Sequence, residues 1–301
     1  MLSFGRRDRS NTLRVNPAGF VAGLTLLLAL APRTSTASVP DAPDSLINDR
    51  DRPVALKLHG EIGFLAPLSH RLQFGNDGTY LDVRKDLAQD TLFFFGRLSG
   101  DLDIGRSRRH TVTLLWQPLD LRSRAISERD LQVQDEVVTA GTPIDFRYGF
   151  TFWRISYLFD ILRDEREVAF GLGLQIRNAN IEFATDDGSV LRSQRDVGPV
   201  PLLKFRGMGF LRGRFWMGGE VDGFYAPIRY LNASRSDVEG AIVDASLRFG
   251  LAWKNGFDTF LNLRYLAGGA RGTSRNAEPF SDGFTRNWIH FFTVSLGVSL
   301  R

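Results

Sequence analysis

Few residues in this 301-residue chain are of the types that carry out chemistry. Cysteine is absent and the histidines number four: His59, His70, His110 and His290. That excludes disulfides, thiolate metal sites, iron–sulfur clusters and a cysteine nucleophile. Asp101-Leu102-Asp103 puts two carboxylates on one side of an extended strand. Such a pair could activate water, yet the Asp-x-His pair that would complete the acid–base set occurs nowhere. His-x-Ser, which would align a base and a nucleophile on one strand face, is also absent. Ser69-His70 is adjacent, and His290 and Thr293 are three apart; both spacings are wrong for a strand. A constellation from separate strands remains open: His59 and Glu61 could meet Ser295 if the first and last strands were neighbours. Asn76-Asp77-Gly78, Asp186-Asp187-Gly188 and Ser281-Asp282-Gly283 read as turns. None gathers the six or more oxygens that calcium requires. Asn232-Ala233-Ser234 matches a glycosylation sequon, a pattern common by chance. With no phosphate loop or dinucleotide fingerprint either, the expectation is no cofactor and no metal.

The elements that would have to position these groups follow from composition and period. Hydrophobic residues make up 43% of the chain and charged residues 24%, so wholesale disorder is excluded. Glycine, at 30 residues, and phenylalanine, at 24, are both abundant, as in proteins of many strands and turns. The net charge of +4 would ordinarily raise the question of nucleic acid. Arg6, Arg7, Arg9, Arg14 and Arg33 against Asp8 account for all of it, so the rest of the chain is neutral and no nucleic-acid partner is expected. An arginine-bearing stretch, a 14-residue apolar run at 18–31, and Ser35-Thr36-Ala37 have the form of a cleaved signal peptide. The run is too short for a helical membrane span, which needs about 20 residues. The expected organisation is a signal at 1–37, a flexible Pro- and Asp-bearing periplasmic leader at 38–53, and one domain at 54–301.

From residue 54 the pattern alternates with period two. Leu56, Leu58, Gly60, Ile62 and Phe64 interleave with Lys57, His59 and Glu61. Phe94 to Ile104 interleaves with Arg97, Ser99, Asp101 and Asp103. Ile144, Phe146, Tyr148 and Phe150 interleave with Asp145, Arg147 and Gly149, after which the phase slips near Phe152-Trp153, as a bulge would make it. Similar runs give ten candidate strands, with eight or twelve as alternatives because the run at 110–120 is weak and Leu72-Gln73-Phe74 is strand-like. Links near 105–109, 160–167, 212–214 and 254–256 are short; those at 66–90, 122–143, 184–198, 228–239 and 270–286 are long. Alternate short and long links with an even strand number predict an all-β fold: an antiparallel transmembrane β-barrel of about ten strands, with short periplasmic turns and long extracellular loops.

In such a barrel the apolar face points to lipid and the polar face into the lumen. The expected interior network is Arg97, Asp101, Asp103, Asp145, Arg147, Arg154, Arg177, Lys204, Arg206, Glu220, Asp222, Asp244, Arg248 and Arg264. Trp116, Trp153, Tyr225, Trp253 and Trp288, with Phe152, fall toward strand ends and predict aromatic girdles at the membrane interfaces.

Residues 54–300 resemble the superfamily of bacterial outer-membrane β-barrel proteins. Gly141-Thr142-Pro143-Ile144-Asp145-Phe146-Arg147-Tyr148-Gly149-Phe150, Gly198-Pro199-Val200-Pro201-Leu202-Leu203-Lys204-Phe205 and Thr293-Val294-Ser295-Leu296-Gly297 are similar to stretches in members without an assigned activity. The resemblance implies location in the cell outer membrane, with outer-membrane lipid, lipopolysaccharide and the barrel assembly machinery as partners. Members commonly end the last strand on an aromatic residue; this chain ends Ser299-Leu300-Arg301. Ten strands are too few for a wide pore. The functional expectation is therefore a charge-filled barrel with a structural or surface-interaction role carried by its long loops. The alternatives are a narrow channel for small or anionic solutes, and a barrel enzyme acting on lipid or peptide.

Overall fold

The computed structural model describes residues 53–162, 166–227, 237–273 and 282–301. The expected signal segment and nearly all of the leader lie outside these residues. In chain order the elements are β1 (Val54–Phe74), β2 (Leu81–Asp82), α1 (Val83–Asp86), β3 (Phe93–Ile104), β4 (His110–Gln117), β5 (Asp120–Ile126), β6 (Leu131–Val133), β7 (Glu136–Val138), β8 (Pro143–Asp160), β9 (Glu167–Thr185), β10 (Leu191–Arg212), β11 (Phe215–Pro227), β12 (Asp237–Ala252), β13 (Phe257–Thr273) and β14 (Phe284–Leu300).

Ten antiparallel staves close into one barrel. Nine are single strands, and the tenth is β4 continued past Pro118 by β5, both paired with β8. Closure comes from β14 pairing with β1, from Leu58↔Leu300 to Phe74↔Thr285. Closure removes the sheet edge, which is what a sheet in lipid requires. β2 and the β6–β7 hairpin are additions at the long-loop end. Leu72-Gln73-Phe74 belongs to β1, and the 110–117 run is a full stave partner.

Over most of the barrel the faces follow the transmembrane rule. Outward Ile62, Phe64, Phe94, Leu172 and Leu296 are exposed, Phe94 to 73%, while inward Glu61, Arg97, Arg154 and Lys204 are buried. On β9 the outward apolar residues run from Val168 to Ile176. That is about 26 Å along the strand and about 20 Å once a tilt near 40° is allowed for, close to the height of a lipid-facing band.

The expected bulge near Phe152-Trp153 is not there. β8 pairs with β9 without interruption from Ile144↔Thr185 to Asp160↔Ala169. Ile144, Phe146, Tyr148, Phe150, Phe152 and Arg154 all point inward, so the change from apolar to polar is a change of surroundings, not of phase. A real irregularity lies in β1 between Pro67 and Ser69. It turns the inward positions from Glu61 and Leu65 to His70, Leu72 and Phe74.

The short links are turns at one end of the barrel, its lower end. Of the long links, 184–198 is a correction. β9 and β10 continue as a hairpin to a tight turn at 186–190, where Gly188 has φ +70° and Gly188 N donates to Thr185 O at 2.9 Å. Residues 228–236 and 274–281 of two other links lie outside the described residues.

Candidate functional site

Two layers fill the lumen. The upper one, at the long-loop end, is apolar. Leu72, Phe74, Val83, Leu131, Phe146 and Phe183 are among the residues of one buried cluster, formed by barrel strands, the 81–87 segment and the β6–β7 hairpin. The hairpin is stitched down by Gln134 N donating to Phe74 O at 3.1 Å and Thr79 N to Gln132 O at 2.7 Å. His70 is fully buried in this layer, with Nδ1 3.2 Å from Gln89 Oε1 and its ring edge-on to Tyr148.

The layer beneath it is ionic, and every stave contributes. Glu61 on β1 faces Arg97 on β3 at 4.0 Å and Arg248 on β12 at 3.4 Å. It accepts from Asn262 on β13 at 2.7 Å and from Ser295 on β14 at 2.9 Å. Arg97 donates to Glu220 on β11 at 3.2 Å, and Lys204 on β10 lies 2.8 Å from the same carboxylate. Arg154 on β8 donates to Asp222 at 2.6 Å and to Gln175 on β9 at 2.6 Å, and lies 3.0 Å from Asp244. Arg264 donates to Asp244 at 2.6 Å and to Gln117 on β4. Five cations meet four carboxylates across one section of the barrel. A buried charge is tolerable only when paired and hydrogen-bonded in this way, and removing one partner strands the others.

Below the ionic layer the lumen opens into a cavity of about 110 Å³ at the short-turn end. Its position follows from two glycines. The Trp216 ring lies where a Cβ on Gly250 would stand, and the Phe260 ring where a Cβ on Gly297 would stand. Both rings therefore lie over glycines of the wall, their centroids 5.9 Å apart and their planes tilted by 50°, and both line the cavity. Across it, His59 Nδ1 is 2.7 Å from Ser299 Oγ and His59 Nε2 is 3.7 Å from Asp101 Oδ2. Asp101 accepts from Thr113 Oγ1 at 2.8 Å and from Arg206 at 2.6 Å, and Arg206 donates also to Glu167 at 2.6 Å. Lys57 pairs with Asp103 at 2.9 Å and Arg301 with Asp258 at 2.8 Å.

Of the expected interior charges, Arg97, Arg154, Lys204, Glu220, Asp222, Asp244, Arg248 and Arg264 lie in the ionic layer, and Asp101, Asp103 and Arg206 line the lumen beneath it. Asp145 and Arg147 do not. They point outward above the apolar band, where Arg147 pairs with Asp120 at 2.8 Å and Asp145 accepts from Arg124 at 2.8 Å. The side chain of Arg177 lies outside the described residues. His59, Glu61 and Ser295 do not form one site: Glu61 and Ser295 bond each other in the ionic layer, and His59 turns to Ser299. Trp116 and Trp153 are a cross-strand outward pair with rings 6.1 Å apart, at the level where outward residues change from apolar to charged. Tyr225 and Trp253 are exposed and Trp288 half-exposed, whereas Phe152 is buried in the apolar layer.

The partners that sequence reasoning passed over are uncharged or lie at strand ends: Gln117, Gln175, Asn262, Glu167, Asp258 and Ser299. Strand parity alone marks Gln175 and Ser299 as inward. That Ser299 stands opposite His59 depends on the closure register, which no local pattern carries.

No family model matches the chain, and no curated protein does. Among solved structures, the chain is similar to the outer membrane protease OmpT from Escherichia coli, at 9% identity and TM-score 0.45, over 88% of this chain and 99% of that one. It is also similar to the translocator domain of autotransporter NalP from Neisseria meningitidis, at 9% identity and TM-score 0.34, over 95% of each chain. A third is the toluene transporter TodX of P. putida, at 7% identity and TM-score 0.30, over 84% of this chain and 91% of that one.

Proposed function

We propose that the protein is an integral barrel of the bacterial outer membrane whose lumen does not conduct, and that it serves through the surface it holds up at the long-loop end. The observation that carries this reading is the double closure. Solute entering from above meets a buried apolar layer built on β1, β3, β4–β5, β8, β9, β13 and β14 with the docked 81–87 segment and β6–β7 hairpin, and beneath it an ionic layer tied to all ten staves. A pathway would need water-filled space at both levels. The network braces the barrel, and the rigid rim positions the turn at 186–190, the β6–β7 hairpin and the ion-paired outward faces of β5 and β8 for a partner.

Liposome swelling tests the reading. Proteoliposomes holding the folded chain are expected to swell in small sugars and in anionic solutes no faster than protein-free vesicles. Swelling that slows as solute size rises would instead establish the narrow channel.

A further inference from the structure

We propose that the cavity at the periplasmic end of the lumen is a hydrolytic site for short-chain carboxylic esters, with Ser299 as nucleophile, His59 as general base and Asp101 as positioning residue. The inference does not depend on the role of the extracellular surface.

Three side chains from three staves meet here with the geometry that nucleophilic catalysis needs. Ser299 Oγ is 2.7 Å from His59 Nδ1, within reach for proton transfer. Asp101 Oδ2 lies 3.7 Å from the other ring nitrogen, a separation that closes readily once the ring becomes cationic. A proton on Nε2, facing the carboxylate, leaves the Nδ1 lone pair for the hydroxyl. Asp101 is itself held by Thr113 and Arg206, so it orients the ring rather than following it. All three groups line the same cavity as Trp216 and Phe260, whose rings offer an apolar wall to an acyl group. About 110 Å³ admits a short acyl chain and excludes a long one, while the alcohol portion points to the open end.

In the first step Ser299 Oγ bonds to the ester carbonyl carbon and its proton passes to His59 Nδ1. Collapse of the tetrahedral intermediate breaks the bond to the alkoxy oxygen, which takes the proton and leaves as the alcohol. Water then gives a proton to His59 and attacks the acyl-serine. The carboxylic acid departs, and the proton returns to Ser299.

The test uses the full refolded chain, with closure checked by heat-dependent gel mobility. Treated with a fluorophosphonate, the protein is expected to carry one label, which mass spectrometry places on Ser299. Hydrolysis of p-nitrophenyl acetate is expected, and of p-nitrophenyl decanoate not. Ser299→Ala and His59→Ala should each lower kcat by about 10³-fold or more. Asp101→Asn should lower kcat by about 10²-fold or more with KM little changed, the mark of lost orientation rather than lost binding. Ser295→Ala, which removes a lumen serine outside the cavity, should hydrolyse at the parent rate. A well-folded barrel that takes no label, or a Ser299→Ala variant that hydrolyses the acetate as fast as the parent, overturns the proposal.

Discussion

Along β8 two stretches of one strand live under opposite rules. From Pro143 to Phe152 the inward side chains are apolar and the outward ones, Asp145 and Arg147, are charged and paired. From Trp153 to Phe159 the outward side chains are apolar, with Trp153 54% exposed, and inward Arg154 is buried among carboxylates. The first stretch is built like a water-soluble β-protein and the second like a lipid-embedded one, with the Trp116–Trp153 pair at the seam. β9 makes the same change, from outward Ile176 below to inward Ile181 and Phe183 above. What inverts is the solvent. Above the seam the outward face is charged, as suits water, and folded loops lie inside; below it the outward face is apolar, as suits lipid, and paired charges lie inside.

This contrast can be broken at either level. The largest loss is expected inside. Arg154→Ala removes a cation shared by Asp222 and Asp244, and should cost about 3–5 kcal/mol in reversible unfolding from detergent or lipid. Phe183→Ala should cost a comparable amount by opening a cavity in the upper layer. A loss below about 1 kcal/mol at either site would mean that the layer is not packed as described. Next comes the outward face. Ile155→Arg puts a charge into the lipid-facing band and should cost about 2–4 kcal/mol. Arg147→Leu, eight positions earlier on the same face, should change stability by only about 0.5 kcal/mol. Equal effects would remove the seam. The smallest effect lies in the turn at 186–190. The hydroxyl of Thr185, with the backbone N–H and hydroxyl of Ser189, holds the Asp187 carboxyl down to about 2. Because this folded value lies below the unfolded one, near 3.9, the turn's contribution is complete above about pH 4 and fades as pH falls toward 2. Carboxylate titration by NMR should give a midpoint near 2; one near 4 would mean that the turn is open.

Period, strand number and the lipid-facing side of most strands were legible in the sequence because alternation is local. Below the seam the same parity points to the positions at which Arg97, Arg154, Lys204 and Arg264 stand buried in the lumen. The change at Phe152-Trp153 looks like a phase slip in the sequence because alternation reports period and not surroundings: an apolar residue marks the lumen above the seam and the lipid-facing side below it. For the same reason alternation alone places Asp145 and Arg147 in the interior, whereas both point outward and pair with Arg124 and Asp120. The upper plug was not legible, since it depends on where the 81–87 segment and the β6–β7 hairpin dock. Nor was the Ser299–His59 contact, which joins residues 240 apart and exists only through barrel closure.

The central claim is double closure, and single-channel recording in a planar bilayer tests it most directly. The folded chain, and a version in which a short glycine–serine link replaces residues 127–142, are recorded under the same voltage. Closure by two independent layers predicts a silent bilayer for both, because the ionic layer remains when the hairpin is gone. Adding Arg154→Ala to the shortened chain should give the first discrete openings. Stable, reproducible openings from the unaltered chain would contradict the account.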